Sequence, residues 1–507
     1  MLPSTLYRRA RVWGAAPATS AVLVEGASIA WVGDEDRADA LTPAAAVDLD
    51  GSWLAPAFVD AHVHTTSTGL ALTGLDLTGV PSLAAALDRV EQAARAARGG
   101  PVLGTGWDET GWPERRPPTD RELDRASYGG VVYLSRTDVH SAVVSSALVA
   151  AVPAARSAMG FLGDGLVRQD AHLALRLEAY AALSRGQRAA AQRAALHRAA
   201  ELGIGCVHEC GGPQIGGEED FTLLLSLDGA HPEVLGYWGE LDGVERAREL
   251  GAAGAAGDLL ADGSLGSHTA CLLAPYADAA EAGDAGSPYL TVADVARHVG
   301  ACTRAGLQAG FHAIGDGALQ VVLDGIAQCA DELGPAAVRA ARHRIEHAEM
   351  LTADHVAAMA RLGLVASVQP AFDARWGGIS GLYSTRVGAR RAEVMNPFAA
   401  LLAAGVTLAL GSDAPVTPLD PWGAIRAAVR HRTAGSGLPV GAAFAAHTTG
   451  GWLAAGASAP AGAGQIRVGA PASFAVWAAP GDDLLDLDAG EPLCLRTVVR
   501  GREVYSR

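Results

Sequence analysis

"FVDAHVHTT", residues 58–66, closes a short apolar run with two histidines one residue apart. On a β-strand the side chains at i and i+2 share a face, so His62 and His64 can converge on one point, as two ligands of a metal ion do. Paired histidines also occur on ordinary surface strands. Their meaning therefore depends on what stands at the ends of the other strands.

Downstream of this run, apolar stretches alternate with alanine-rich helical stretches, the texture of βα units around a parallel sheet. Strands are expected near 57–64, 203–208, 233–238, 257–262, 307–312, 343–347, 364–369 and 406–412, with helices at 174–202, 291–306, 316–333, 353–362 and 420–432. Eight such units predict an α/β fold, a (β/α)8 TIM-like barrel over 56–463. Residues 65–173 break the alternation and are expected to form an insertion after the first strand. Both ends are β-rich: "SAVLVEGASIAWVG" near the start, "ASFAVWA" and "LRTVVRGREVYS" near the end. Residues 1–55 and 464–507 are thus expected to build one small composite β-sandwich.

The chain has 507 residues and is half apolar, enough for a large barrel with an added module. Its net charge of −16 argues against a nucleic-acid partner, which needs a basic face. No apolar stretch is long enough to span a bilayer, and "MLPSTLYRRARVWG" lacks the apolar core of a secretion signal. The six cysteines follow no framework or zinc-ribbon spacing, as expected of reduced thiols in a cytoplasm. A cytoplasmic protein acting on a small molecule is expected, with no membrane partner and with a homodimer as a compatible assembly. All 39 basic residues are arginine; the chain contains no lysine.

Barrel enzymes carry their chemistry at the C-terminal ends of the strands. Here those ends carry His62 and His64, then His312 in "LQAGFHAIGD", His347 in "RIEHAE" and Asp413 in "VTLALGSDAP". Four histidines and an aspartate suit zinc or a similar divalent ion. Singly, each has a bland reading as a satisfied strand-end group; together at one rim they predict a metal site.

This ordered set resembles the amidohydrolase superfamily. Further stretches resemble its YtcJ-like branch, which includes N-substituted formamide deformylases: "APAFVDAHVH", "GWDETGWPERRPPT", "RTDVHSAVVSSAL", "ADGSLGSHTACLLAPY", "FHAIGDGAL", "RIEHAEML" and "LGSDAPVTPLDPW". The resemblance covers nearly the whole chain and implies a barrel with a terminal β-sandwich, a divalent metal and hydrolysis of a small molecule. Trp107, Asp108, His140, Asp262 and His268 lie in these motifs outside the metal set, so they are expected to shape the substrate pocket or to stabilise loops.

The chain departs from the branch in "DLLADGS", where Asp258 stands at the position of the branch's lysine. Superfamily members with two metals often bridge them through a carboxylated lysine, which a lysine-free chain cannot supply. Asp258 is several atoms shorter and is expected to fall short of the bridging point unless the backbone moves, which leaves one metal ion, favoured here, or two bridged by another carboxylate. Glu209, in "GCVHEC", is a candidate bridging carboxylate or a solvated strand-end charge, and its neighbour His208 is equally open. His268 stands where the branch usually has arginine, and Ala57 where it usually has glycine.

The expected reaction is cleavage of a non-peptide C–N bond, of amide or formamide type, by metal-activated water. Asp413 would ligate the metal and move the water's proton; His347 or His312, if not a ligand, would polarise the substrate oxygen. Deamination of a cyclic amidine on the same site is the alternative, although "FHAIGD" offers no strand-five glutamate as proton shuttle. A third reading is a non-hydrolytic or ligand-binding barrel.

Overall fold

The computed structural model describes residues 4–507. Eight parallel strands form the central sheet: β1 Phe58–Val63, β2 Ile204–Gly211, β3 Glu233–Trp238, β4 Gly254–Ala255, β5 Gln308–Ala313, β6 Arg344–His347, β7 Val365–Val368 and β8 Thr407–Leu410. The strands are buried along nearly their whole length, as expected where helices cover a parallel sheet. The sheet curls into a barrel, closed just beyond β8: the Asp413 N–H donates to the His62 carbonyl (2.8 Å) and the His64 N–H to the Ala414 carbonyl (3.0 Å). Asp60 on β1 ties the same seam by accepting the Ser412 N–H at 2.9 Å. The seam places the histidine pair and Asp413 side by side.

Two expectations need correction. The fourth strand was expected at 257–262, but its ladder is limited to Gly254–Ala255, followed by one bridge between Leu260 and His312. Gly257 takes φ +84°, a left-handed turn open to glycine, and swings the chain out of the sheet into the barrel mouth. The helix expected over 174–202 is two helices, Gln169–Ala181 and Arg185–Glu201. Ser184 starts the second with a capping box to Gln187, a start signal inside an unbroken helical pattern.

Between β1 and β2 the chain builds a five-stranded mixed sheet, with strands Leu75–Asp76, Val102–Trp107, Val132–Arg136, Ser141–Val144 and Leu166–Arg168. It has apolar cores of its own, one centred on Leu77, Val90, Trp107 and Trp112. The terminal segments form two further sheets. One contains Ser4–Arg8, Ala21–Glu25, Ser28–Gly33 and Ala45–Asp48; the other joins Trp53–Pro56 to Phe474–Ala478, Leu493–Val499 and Arg502–Ser506. They enclose a shared core of Tyr7, Val22, Ile29, Leu54, Phe474 and Val498, which makes a β-sandwich from both termini. No described helix is long and apolar enough to cross a membrane.

Candidate metal centre

Strand ends β1, β5, β6 and β8 and the turn after β4 bring five expected residues and Asp258 together in the barrel mouth. His62 Nε2 lies 3.4 Å from Asp258 Oδ1 and 3.5 Å from Asp413 Oδ1. His64 Nε2 lies 3.2 Å from Asp258 Oδ2 and 3.2 Å from Asp413 Oδ1. Donors around a tetrahedral ion with bonds of about 2.0–2.1 Å stand about 3.3 Å apart, and two overlapping groups come close to that spacing: His62, His64 and Asp413, and His62, Asp258 and His347, each with donor atoms within 4.8 Å of one another. Asp258 Oδ1 also faces His312 Nδ1 at 3.6 Å and His347 Nε2 at 4.0 Å. Asp258 reaches the middle of the cluster because the backbone moves: the left-handed turn at Gly257, not side-chain length, carries its carboxylate there, where a straight strand would have left it short.

The outer ring of hydrogen bonds fixes which histidine nitrogens face inward. His62 Nδ1 pairs with Glu346 Oε2 at 3.0 Å, His347 Nδ1 with Gln369 Oε1 at 2.8 Å, and His312 Nε2 with the Gly263 carbonyl at 3.2 Å. Each acceptor holds the proton on that nitrogen and leaves the other nitrogen's lone pair aimed at the cluster, as in metal-binding histidines. His62 Nε2, His347 Nε2, Asp258 Oδ1 and Asp413 Oδ1 are all buried and have no hydrogen-bond partner. Such orphans are costly unless something fills the space between them. The donor set fits a divalent cation.

The electrostatics agree. Burial opposes ionisation of Asp413, but the His62, His64 and His347 side chains around it outweigh burial and hold its pKa below the usual carboxylate value. Burial also opposes charge on His64, yet hydrogen bonds to Asp258 and Asp413 raise its pKa to about 9, so the two carboxylates draw a positive charge to this spot, a proton in the metal-free protein that a bound cation would displace. His347, pushed to about 3 by burial and by His312, stays a neutral imidazole. His347 and Asp413 both have left-handed backbones, φ +68° and +53°. Such strain in non-glycine residues costs about 1 kcal/mol or more and clusters where function holds a side chain in place.

The other expected residues are placed as follows. Glu209 lies outside the inward-facing donors; its Oε2 accepts the Thr65 N–H at 2.7 Å. His208 lies deeper, its Nδ1 accepting from Arg344 at 3.0 Å. Trp107 is buried in the core of the intervening sheet and donates to the Leu134 carbonyl, and Asp108 caps a short 3₁₀ helix and pairs with Arg136. Asp262 accepts three backbone N–H groups, from Cys271, Ile314 and Gly315, and so staples the loops beneath His312. His268 pairs with Asp278 at 3.0 Å, away from the cluster. Of this group only His140 reaches the site, its ring 5.1 Å from that of His312.

Two cavities meet at the cluster. One, of about 820 Å³, has His64 and Asp258 in its wall; the other, of about 420 Å³, has His312, His347 and Asp413; His140 stands in both. Sequence reasoning missed Glu346, Gln369 and Arg344, which orient the histidines. Arg344 and Glu346 precede His347 in "RIEH", but nothing local shows that Glu346 turns to β1.

The profile of the amidohydrolase family matches residues 45–505, and the chain belongs to that family of hydrolases. It is 25% identical to YtcJ of Bacillus subtilis (strain 168) over 437 residues, covering 76% of this chain and 75% of that one. It is 32% identical to the N-substituted formamide deformylase of Arthrobacter pascens over 133 residues, 25% of this chain and 24% of that one. An uncharacterized metal-dependent hydrolase from Pyrococcus horikoshii OT3 shares the fold with a TM-score of 0.74 at 23% identity, covering 96% of this chain and 99% of that one.

Proposed function

We propose that the chain is a metal-dependent hydrolase that cleaves an amide or formamide C–N bond of a small molecule. The observation that carries this reading is the convergence of His62, His64, Asp258 and Asp413, whose facing donor atoms lie 3.2–3.5 Å apart while His62 Nε2, Asp258 Oδ1 and Asp413 Oδ1 have no hydrogen-bond partner. These four would hold one zinc-type ion. His312 and His347, with Asp258 Oδ1 between them and the first set, offer a weaker three-donor position. A divalent ion held by these residues would supply an activated water and polarise a carbonyl oxygen.

The chain's own groups supply the proton traffic. Asp413, held ionised by the histidines around it, would accept a proton from the attacking water on the carboxylate oxygen that a cation leaves free and return it to the leaving nitrogen. His140, kept neutral with a pKa of about 4 by burial and by His312, stands between the two cavities, where it can hydrogen-bond the substrate oxygen. The two cavities would take the two arms of the amide. The stretch matched to the formamide deformylase and the membership in the amidohydrolase family support this choice of bond.

The test is turnover of a panel of N-acyl and N-formyl amines by zinc-loaded protein, reading carboxylate or formate release. Release of an acid and an amine is expected. No turnover of any amide, with ammonia released from cyclic amidines, would overturn the reading in favour of deamination.

A further inference from the structure

The larger cavity holds a charge that the proposed chemistry does not use. Its walls are mainly apolar, with Leu70, Leu103, Leu173, Ile215, Leu260 and Pro415 contributing, and it runs from His64 and Asp258 towards the helix Gln169–Ala181. That helix presents Arg176 to the cavity. Its Nη2 donates to the Gln214 carbonyl, its Nε is buried with no partner, and no described carboxylate forms an ion pair with it. The only carboxylate in the cavity wall is Asp258, which already faces four histidines.

The groups near the guanidinium cannot neutralise it. Tyr133 and His172 are hydrogen-bonded to each other at 2.8 Å, and Ser67 to Tyr180 at 3.1 Å. Burial, Arg176 and His140 push the His172 pKa well down, so that imidazole stays neutral. Arg176 is thus a single uncompensated cation beside an apolar cleft that opens on the reaction centre. An unpaired charge in such surroundings is costly, and a planar guanidinium is best answered by two parallel hydrogen bonds to a carboxylate.

We propose that Arg176 anchors a carboxylate of the substrate, so that the arm entering this cleft is an apolar spacer ending in that carboxylate. The inference builds on the amide reading and narrows it: the substrates are amides with one acidic, otherwise apolar arm. Arg176 acts here in specificity, remote from bond cleavage.

Binding separates this claim from the amide reading. Calorimetry with the full-length, zinc-loaded protein would compare hexanoate with hexanol, and hexanoate with inorganic phosphate. Wild type is expected to favour hexanoate over hexanol by about ten- to a hundredfold, the range of a charge-assisted hydrogen bond. In Arg176→Gln that selectivity should fall close to one, and Arg176→Lys, which keeps the charge and loses the fork, should fall in between. Undiminished selectivity in both variants would place the carboxylate on the metal instead and overturn the proposal. Tighter binding of phosphate than of hexanoate would overturn the choice of carboxylate. Absence of amide turnover, with the selectivity and its loss as described, would sink the amide reading alone.

Discussion

Two buried charge clusters border the same cavity, and they are built in opposite ways. Arg136, 4% exposed, is paired with Asp108 at 3.1 Å, Glu109 at 3.0 Å and Asp138 at 3.0 Å. Asp138 in turn accepts from the Ser264 and Ser267 hydroxyls. Every charge there is answered by the protein. A few residues away His62, His347, Asp258 and Asp413 are equally buried, yet each keeps an atom without a hydrogen-bond partner. The first cluster is complete as it stands and holds loops together. The second leaves inward-facing donors that a cation would satisfy. Burial of charge alone distinguishes nothing; the unmet valence does.

The largest expected effect falls on the incomplete cluster. Asp413→Asn should lower kcat on the order of 10⁴-fold, because the amide cannot take up the water's proton and ligates poorly. The variant should remain folded, since the amide keeps the shape of the side chain, although it weakens the pairing of Asp413 with His64 in the metal-free protein. Stopped turnover assays beside calorimetric melting would show both. Near-normal kcat would mean that another group moves the proton.

A second effect tests a buried acid answered by neutral partners. Asp220 accepts from Thr66 at 2.8 Å and Gln192 at 3.2 Å, and burial raises its pKa to about 7. The fold therefore keeps this proton up to about pH 7, while the unfolded chain releases it near the ordinary aspartate value of about 3.9. Between those values the folded state binds the extra proton, so stability falls as pH rises and levels off above about 7. At about 1.36 kcal/mol per unit the slope sums to roughly 4 kcal/mol at most. Urea unfolding of Asp220→Asn across this range should show the decline flattened; an unchanged slope would assign it to other acids.

A smaller effect is expected in the complete cluster. Arg136→Met leaves three carboxylates, two of them partly exposed, without their cation, and should cost about 3 kcal/mol in unfolding free energy. Its metal content should match wild type. Metal loss in this variant would mean that the two clusters are coupled.

Much of this contrast was legible in the chain. The barrel followed from apolar runs spaced among helical stretches, and five inward-facing residues followed from asking what stands at the strand ends. Reach was not legible. Asp258 was misjudged because side-chain length was compared on an assumed straight strand, whereas Gly257 redirects the backbone. Trp107 and Asp108 lie in motifs that suggested a pocket, but the intervening sheet draws them into its own core and cap. Arg176 gave no signal at all, since an arginine in an alanine-rich helix shows its lack of a partner only when the surrounding walls are known.

The central claim is that His62, His64, Asp258 and Asp413 hold a metal ion. Elemental analysis of wild type and Asp258→Ala after extensive dialysis tests it most directly. Wild type should retain one tightly bound zinc-type ion per chain, with any second ion at the His312–His347 position lost more readily. Asp258→Ala, folded but lacking the shared carboxylate, should retain close to none. Full retention of metal in that variant, or metal-free wild type that takes up none from micromolar zinc, would contradict the account.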